Sequence, residues 1–175
     1  MILKLFRKNP APDAVYAVYT AIVAQSRQPV FYAEWGVPDT VTGRFDMISL
    51  HLALVFRRLR HEKKVGIEFG QALFDLFFKD MDRSLREMGA GDLSVPKKVR
   101  KMTEIFYALM TGVNEAIDRG DRAGVEVVLR RNVFGEAEAG RADELASYLF
   151  TQADSLATQP LDAIAGGHID MAVAA

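Results

Sequence analysis

The sequence contains no cysteine, which excludes disulfide bonds, thiolate nucleophiles and thiolate metal ligands. Its three histidines, His51, His61 and His168, do not have the spacing of a zinc site. An excess of charge of one sign is also lacking: 22 basic residues face 23 acidic ones, and the net charge of −1 predicts no DNA partner. No apolar run approaches the ~20 residues of a transmembrane helix. The composition, 50% hydrophobic and 26% charged, is that of a globular domain.

The N-terminal residues 1–8 combine apolar and basic side chains, and Asn9-Pro10 follows them. The basic residues interrupt the apolar stretch that a signal peptide requires. We interpret residues 1–11 as a short docked arm, with a weak membrane-surface anchor as the alternative. The predicted location is cytoplasmic, extending to a peripheral position at the inner face of the membrane. The predicted domain covers residues 12–165, and residues 166–175 are predicted to be a flexible tail.

Apolar residues recur at helical spacing along the chain, and convincing strand alternation is absent. The sequence therefore predicts one all-α bundle of six or seven helices. Ser94 and Asp121 are placed to cap helices at their N-termini, and Gly89 to end one. An aromatic connector follows the first helix. The predicted helices lie at about 12–26, 43–62, 66–88, 95–119, 122–133 and 141–156, with a further turn at 160–165.

Catalytic groups are poorly represented. Asp75, Asp80 and Asp82 resemble the aspartate clusters that bind magnesium diphosphates, but Lys79 lies between Asp75 and Asp82 on one helix face and would neutralise a metal site. A second, facing aspartate helix is also missing. A magnesium-dependent prenyl-diphosphate enzyme is therefore the least favoured reading, and we expect a protein without catalytic activity, metal or cofactor.

Two features point instead to binding. Basic residues cluster at 57–64 and at 97–101, where they form either solvated helix faces or, if the runs meet, a patch for RNA or a ribosome surface. Phe74 and Phe78 form a second apolar stripe beside the main one of their helix. This stripe belongs either to the core or to a face that receives a partner.

Several stretches together resemble the ubiquinol–cytochrome c chaperone family, which assists the assembly of respiratory complex III. They occur in order over about residues 36–134, and the absence of a long targeting extension resembles the bacterial branch. The stretches are Gly36-Val-Pro-Asp-Thr40, Gly43-Arg-Phe-Asp-Met-Ile48, Leu50-His51, Arg58-Leu59, Gln71-Ala-Leu-Phe-Asp-Leu-Phe-Phe78, Asp80-Met-Asp-Arg-Ser-Leu-Arg-Glu-Met-Gly-Ala-Gly-Asp92, Val95, Lys98, Phe106-Tyr107 and Asn132.

The resemblance implies a helical protein that holds a client polypeptide and has no catalytic residues to carry over. Mitochondrial members of the family bind newly made cytochrome b beside the ribosome, together with a small partner protein. The implied partners are therefore cytochrome b or another complex III subunit, with the ribosome surface near the membrane as a further contact. An RNA- or ribosome-binding module remains the alternative from another class.

The matching stretches contain polar positions that are candidates for partner binding, and the Phe74/Phe78 stripe is added to them on physical grounds. The same polar residues could equally form a buried network that fixes helix geometry. The candidate residues are Asp46, His51, Arg58, Phe74, Asp75, Phe78, Asp80, Asp82, Arg86 and Asp92.

Overall fold

The structure is a computed structural model that describes residues 10–135 and 140–174. The predicted N-terminal arm lies outside these residues except for Pro10 and Ala11. Helices account for the regular structure of the described chain, and strands are absent from it, which confirms the predicted all-α class. The elements are α1 Pro12–Ser26, α2 Pro29–Ala33, α3 Val41–Leu59, α4 Lys64–Glu87, α5 Val95–Asp118, α6 Arg122–Leu129, a π-helical turn Arg130–Phe134, α7 Ala142–Thr158 and α8 Leu161–Ala165.

Helix α3 lies at the centre of the bundle, packed against α1, α4, α5 and α7. All of its residues from Phe45 to Val55 are buried, including the polar side chains of Asp46, Ser49 and His51. The helix begins two residues before the predicted start because the Thr40 hydroxyl accepts a hydrogen bond from the Gly43 backbone N–H at 3.1 Å. Because α3 is buried on every side, the polar faces of the surrounding helices form the surface of the bundle.

Helices α4 and α5 form an antiparallel pair, and each buries one apolar stripe. Gly89 connects them with a φ of +85°, which only glycine adopts without steric cost, as the sequence predicts. Their aromatic side chains pack against α3: the Phe77 ring of α4 stacks on Phe45 at 5.5 Å, and the Phe106 ring of α5 meets Phe56 at 6.0 Å.

The C-terminal half closes the bundle. Asp121 caps α6 by accepting a hydrogen bond from the Gly124 N–H at 2.8 Å, which confirms the predicted cap. Ser94 occupies the predicted N-cap position of α5, but its side chain accepts no hydrogen bond from the first turn of the helix. Its hydroxyl donates instead to the Gly91 carbonyl at 2.8 Å. The predicted aromatic connector contains the five-residue helix α2, which starts at Pro29.

The segment predicted as a flexible tail makes specific contacts over its described residues, 166–174. The Gln25 side chain donates to the Ala172 carbonyl at 2.8 Å, and the Ala172 N–H donates to the Gln152 side chain at 2.7 Å. The Gln159 side chain exchanges two hydrogen bonds with the Asp170 backbone. These residues therefore pack along α1 and α7.

The start of α3 provides a test of the packing. A Cβ atom added at Gly43 would lie 2.0 Å from the carbonyl oxygen of Pro38, which is backbone and cannot move aside. We expect Gly43→Ala to lower the free energy of unfolding by about 2 kcal/mol or more. Gly91→Ala is the control, since a Cβ there meets nothing within 4 Å. Urea unfolding of both variants measures the difference, and equal stabilities would contradict this account of the turn.

Candidate functional site

An open apolar cleft lies where the second half of α3 and of α5 meets the first half of α4. Its volume is about 230 Å³. Gly66 and Gly70, one turn apart on α4, leave this helix without side chains opposite α3. A Cβ at Gly70 would already be in contact with the Phe56 ring at 3.7 Å. The cleft is lined by Phe56, Leu59, Arg60, Gly66, Ile67, Gly70, Gln71, Phe74, Phe106, Tyr107 and Met110.

Two large apolar side chains stand at the edges of this cleft. Ile67 is 64% exposed and Tyr107 is 48% exposed. The half-buried Phe74 ring forms one wall and lies 5.8 Å from the Tyr107 ring. The predicted Phe74/Phe78 stripe is therefore divided, because Phe78 is buried against Phe106 and only Phe74 reaches the cleft. An apolar surface of this kind can receive apolar side chains of another molecule.

The polar edge of the cleft is tied back onto the protein. Arg60 donates two hydrogen bonds of 2.8 Å to the Asp118 carboxylate, which also pairs with Arg57. These guanidinium groups hold the pKa of Asp118 well below its usual range. Arg60 is thus held at the cleft edge by a partner of its own.

Asp46 and His51 lie in the core, not on a surface. His51 donates from Nδ1 to the Met47 carbonyl at 2.7 Å and accepts at Nε2 from the Tyr148 hydroxyl at 2.8 Å. Gln25 donates to the same hydroxyl at 2.9 Å. Of the two readings given for these polar positions, the placement of His51 matches the buried network that fixes helix geometry.

Burial shifts the pKa values of His51 and Asp46 in opposite directions. It lowers the pKa of His51 to about 4, so the ring is neutral at physiological pH. It raises the pKa of Asp46 to about 7, and the Oδ1 atom of this carboxyl has no hydrogen-bond partner among the described residues. Asp46 is therefore a buried acid that favours its protonated form.

Arg58 joins the end of α3 to the junction of α7 and α8. Its guanidinium donates to the Gln159 carbonyl from Nη2 at 2.9 Å and from Nε at 3.2 Å, and it pairs with Glu62. Two bonds to one backbone carbonyl satisfy a helix terminus that water would otherwise have to solvate. The contacts of Arg58 in this structure are structural ones.

The remaining candidate residues lie on α4 and just beyond it, in three separate places. Asp75 is exposed and accepts a hydrogen bond from Gln71 at 2.8 Å. Asp80 accepts from the Tyr19 hydroxyl at 2.9 Å and pairs with Arg83. Arg86 bridges two carboxylates at the C-terminal end of the helix, those of Asp82 and Asp92. The structure therefore does not bring the polar candidates together into one site.

The acids also do not converge as a metal site. Within residues 10–135 and 140–174, no three His, Asp or Glu side chains lie close enough together to hold an ion. Each predicted aspartate contacts a neutral or basic neighbour from its own chain. This geometry does not fit the aspartate cluster that the magnesium-dependent alternative requires.

The two basic runs do not meet. Arg57 and Arg60 contact Asp118 at the C-terminal end of α5, while the residues 97–101 form its N-terminal end. Asp118 follows Arg100 by 18 positions, and this separation corresponds to about 27 Å along an α-helix. The single basic patch on which the RNA-binding alternative depends is therefore not formed.

Sequence reasoning did not single out Ile67, Tyr107 and Met110 as binding residues, although they line the cleft. One signal was available: Gly66 and Gly70 stand one turn apart in a helix that is otherwise rich in large side chains. Glycine lowers helix stability, so two on one face indicate a place where something must approach closely.

The sequence and the fold of this chain are similar to those of one protein family. The family model described as ubiquinol-cytochrome C chaperone matches residues 33–172. The crystal structure of the Cbp3 homolog from Brucella abortus is similar over 99% of this chain and 98% of that chain, with 37% identity and a TM-score of 0.87.

Curated animal proteins match over a shorter part of their length. The ubiquinol-cytochrome-c reductase complex assembly factor 1 of Xenopus laevis is 27% identical over 123 residues, which cover 70% of this chain and 61% of that protein. The human protein of the same name is 26% identical over 121 residues, covering 69% and 40%. The chain thus spans between two and three fifths of the length of these relatives.

The buried acid and the buried histidine should give opposite pH dependences of stability. Between about pH 4 and pH 6.5, folded His51 stays neutral while the unfolded chain binds its proton, so this residue makes stability rise with pH. Folded Asp46 keeps its proton up to about pH 7, while the unfolded carboxyl ionises near pH 4, so this residue makes stability fall with pH. Each contributes about 1.4 kcal/mol per pH unit, and the two largely cancel.

Replacing Asp46 by Asn removes one of the two opposing contributions. We expect Asp46→Asn to gain up to about 1.4 kcal/mol relative to the wild type for each unit between pH 4 and pH 7. Urea unfolding at several pH values measures this, with Asp154→Asn on the exposed face of α7 as the control. A profile for Asp46→Asn parallel to that of the wild type would show that Asp46 is ionised in the folded protein.

Proposed function

This chain belongs to the ubiquinol–cytochrome c chaperone family, and from that premise we propose that it holds newly made cytochrome b during assembly of ubiquinol–cytochrome c reductase. The match over residues 33–172 supports a role in complex III assembly. The role is that of a binding protein, not of an enzyme. Another complex III subunit is the alternative client.

The apolar cleft between α3, α4 and α5 is the observation that carries this proposal. A chaperone must cover apolar surface that its client cannot yet bury, and it must release the client later. Ile67, Phe74 and Tyr107 offer apolar area at the surface of the bundle. The binding force is then hydrophobic and reversible, without any covalent step.

The size of the cleft indicates how a client would bind. Its 230 Å³ is less than the ~300–1,000 Å³ typical of cofactor and small-molecule pockets. A whole helix, about 10 Å across, cannot enter it. One or two large side chains from a client segment can insert, while the segment itself lies across the edges formed by Ile67 and Tyr107.

The surroundings of the cleft favour a segment that is apolar at its centre and polar at its ends. Arg60 and Asp118 form one edge, and Gln71 with Asp75 forms another. Because these groups already have partners, they add orientation without leaving a buried charge unpaired. This is the usual arrangement of a protein interface, with an apolar centre and a polar rim.

A single charge in the cleft provides the test. Ile67→Asp places a carboxylate where the client's apolar side chain would be buried, so we expect recovery of crosslinked cytochrome b to fall by at least about tenfold. Val127→Asp is the matched control, because Val127 on α6 is 65% exposed and Ile67 is 64% exposed. Crosslinking in cells followed by mass spectrometry identifies the captured protein, and absorbance spectra report assembled complex III.

The possible outcomes test two hypotheses separately: that the cleft is the binding surface, and that cytochrome b is the client. Loss of capture in Ile67→Asp but not in Val127→Asp supports the cleft as the binding surface. Equal capture by both variants would contradict it, even if cytochrome b is the client. Recovery of a different complex III subunit in place of cytochrome b would contradict the named client and leave the cleft supported.

A further inference from the structure

The connection between α4 and α5 carries apolar side chains that the bundle does not cover. Leu93 is 94% exposed, and Met88 just after the end of α4 is 54% exposed. Added Cβ atoms at Gly89 and Gly91 would meet nothing within 4 Å, so this connection projects away from the described part of the chain. Transfer of these two apolar side chains from water into another apolar surface would be favourable.

Basic residues surround this apolar projection. Lys97, Lys98 and Lys101 are exposed on the first two turns of α5. At 100° per residue they lie within an arc of about 100°, on the face of the helix next to its buried stripe. Lys97 and Lys98 have no carboxylate partner among the described residues, so their charge is available to an anion.

The acidic residues of the same region are already engaged. Asp82 and Asp92 both contact Arg86, Glu87 lies 3.8 Å from Arg83, and Glu104 lies beside Arg100 and Lys101. The N-terminal end of a 24-residue helix adds a partial positive charge of its own. The field at this end of the pair is therefore positive although the chain as a whole is nearly neutral.

We propose that residues 88–101, the α4–α5 tip, dock this protein onto an anionic lipid surface. Leu93 and Met88 insert at the boundary between headgroups and acyl chains, while Lys97, Lys98 and Lys101 contact lipid phosphates. Apolar insertion and basic contacts are together what holds a protein at a membrane interface reversibly. No described helix is long and apolar enough to cross a bilayer, so the contact is peripheral.

Lys97 and Lys98 lie close enough to such a surface to contribute. They follow Leu93 by four and five residues, or about 6–8 Å along a helix, which is within the ~8 Å Debye length at physiological salt. A single-stranded RNA would also attract these lysines, but its bases stack on aromatic rings or guanidinium planes, and Leu93 and Met88 provide neither. The combination of both features favours the membrane over RNA.

The proposal extends the chaperone function but does not depend on it. The cleft residues Phe74 and Tyr107 each lie 14 positions from Met88 and Leu93, or about 21 Å along their helices. A tip resting on the membrane would hold the cleft about that far from the surface. Vesicle binding can be measured without any client, so failure of either proposal is recognised separately.

Vesicle cosedimentation of the full chain tests the tip. We expect binding to vesicles containing phosphatidylglycerol and little binding to vesicles of phosphatidylcholine alone. Leu93→Asp should weaken binding at least about fivefold, and Lys97→Glu/Lys98→Glu at least about tenfold, with loss of the salt dependence. Val127→Asp and Lys63→Glu/Lys64→Glu are the controls, since they make the same changes on exposed residues away from the tip.

Each other outcome overturns the proposal. Binding that survives both tip variants but is lost on deletion of residues 2–9 would assign membrane contact to the N-terminal segment. Absence of binding to anionic vesicles would exclude the tip as a membrane contact. Binding of single-stranded RNA that depends on Lys97 and Lys98 but not on Leu93, without vesicle binding, would assign these lysines to nucleic acid.

Discussion

The hydrogen bond between His51 and Tyr148 joins the central helix α3 to α7. Helix α3 is buried on every side over Phe45–Val55. Of its polar side chains there, His51 has a partner on another helix, whereas Asp46 Oδ1 and Ser49 Oγ have none among the described residues. The partner of His51 is Tyr148, which Gln25 contacts in turn, and Gln25 reaches the Ala172 carbonyl. One chain of polar groups thus links α1, α3, α7 and the C-terminal segment, and a buried donor or acceptor left without its partner costs about 1–3 kcal/mol.

The contacts of His51 also position one wall of the cleft, because that wall belongs to the same helix. Phe56 and Leu59 lie one to two turns beyond His51 on the same helix, and they form the wall opposite Gly66 and Gly70 of α4. Because His51 and Arg58 both anchor α3, the wall does not depend on a client for its shape. A binding surface built on rigid helices loses less conformational entropy when a client binds than a surface made of loops.

The sequence predicted the helices, but not which polar and partly exposed residues of different helices come together. Period-3.6 patterns located the six longer helices, and α1 has the predicted limits, because one apolar face is a local property of the chain. In α3 a buried position for Asp46 and His51 was one of two alternatives that the sequence left open, since a helix that is buried on all sides has no solvent face to separate them. The cleft was missed for a different reason. Ile67 and Tyr107 come together only when α4 and α5 pack, and the spacing of residues along one helix does not reveal a contact between two helices.

The cleft and the α4–α5 tip lie on the same pair of helices, and this limits which clients can use both. A client segment leaving a membrane on which the tip rests must cross about 21 Å to reach Phe74 and Tyr107. An extended chain covers that distance with roughly six residues, whereas a helix needs about fourteen. An unfolded segment that has just emerged therefore reaches the cleft sooner than a completed helix does. Under the two proposals together, a rigid pair of helices anchored by α3 would favour clients that have not yet folded.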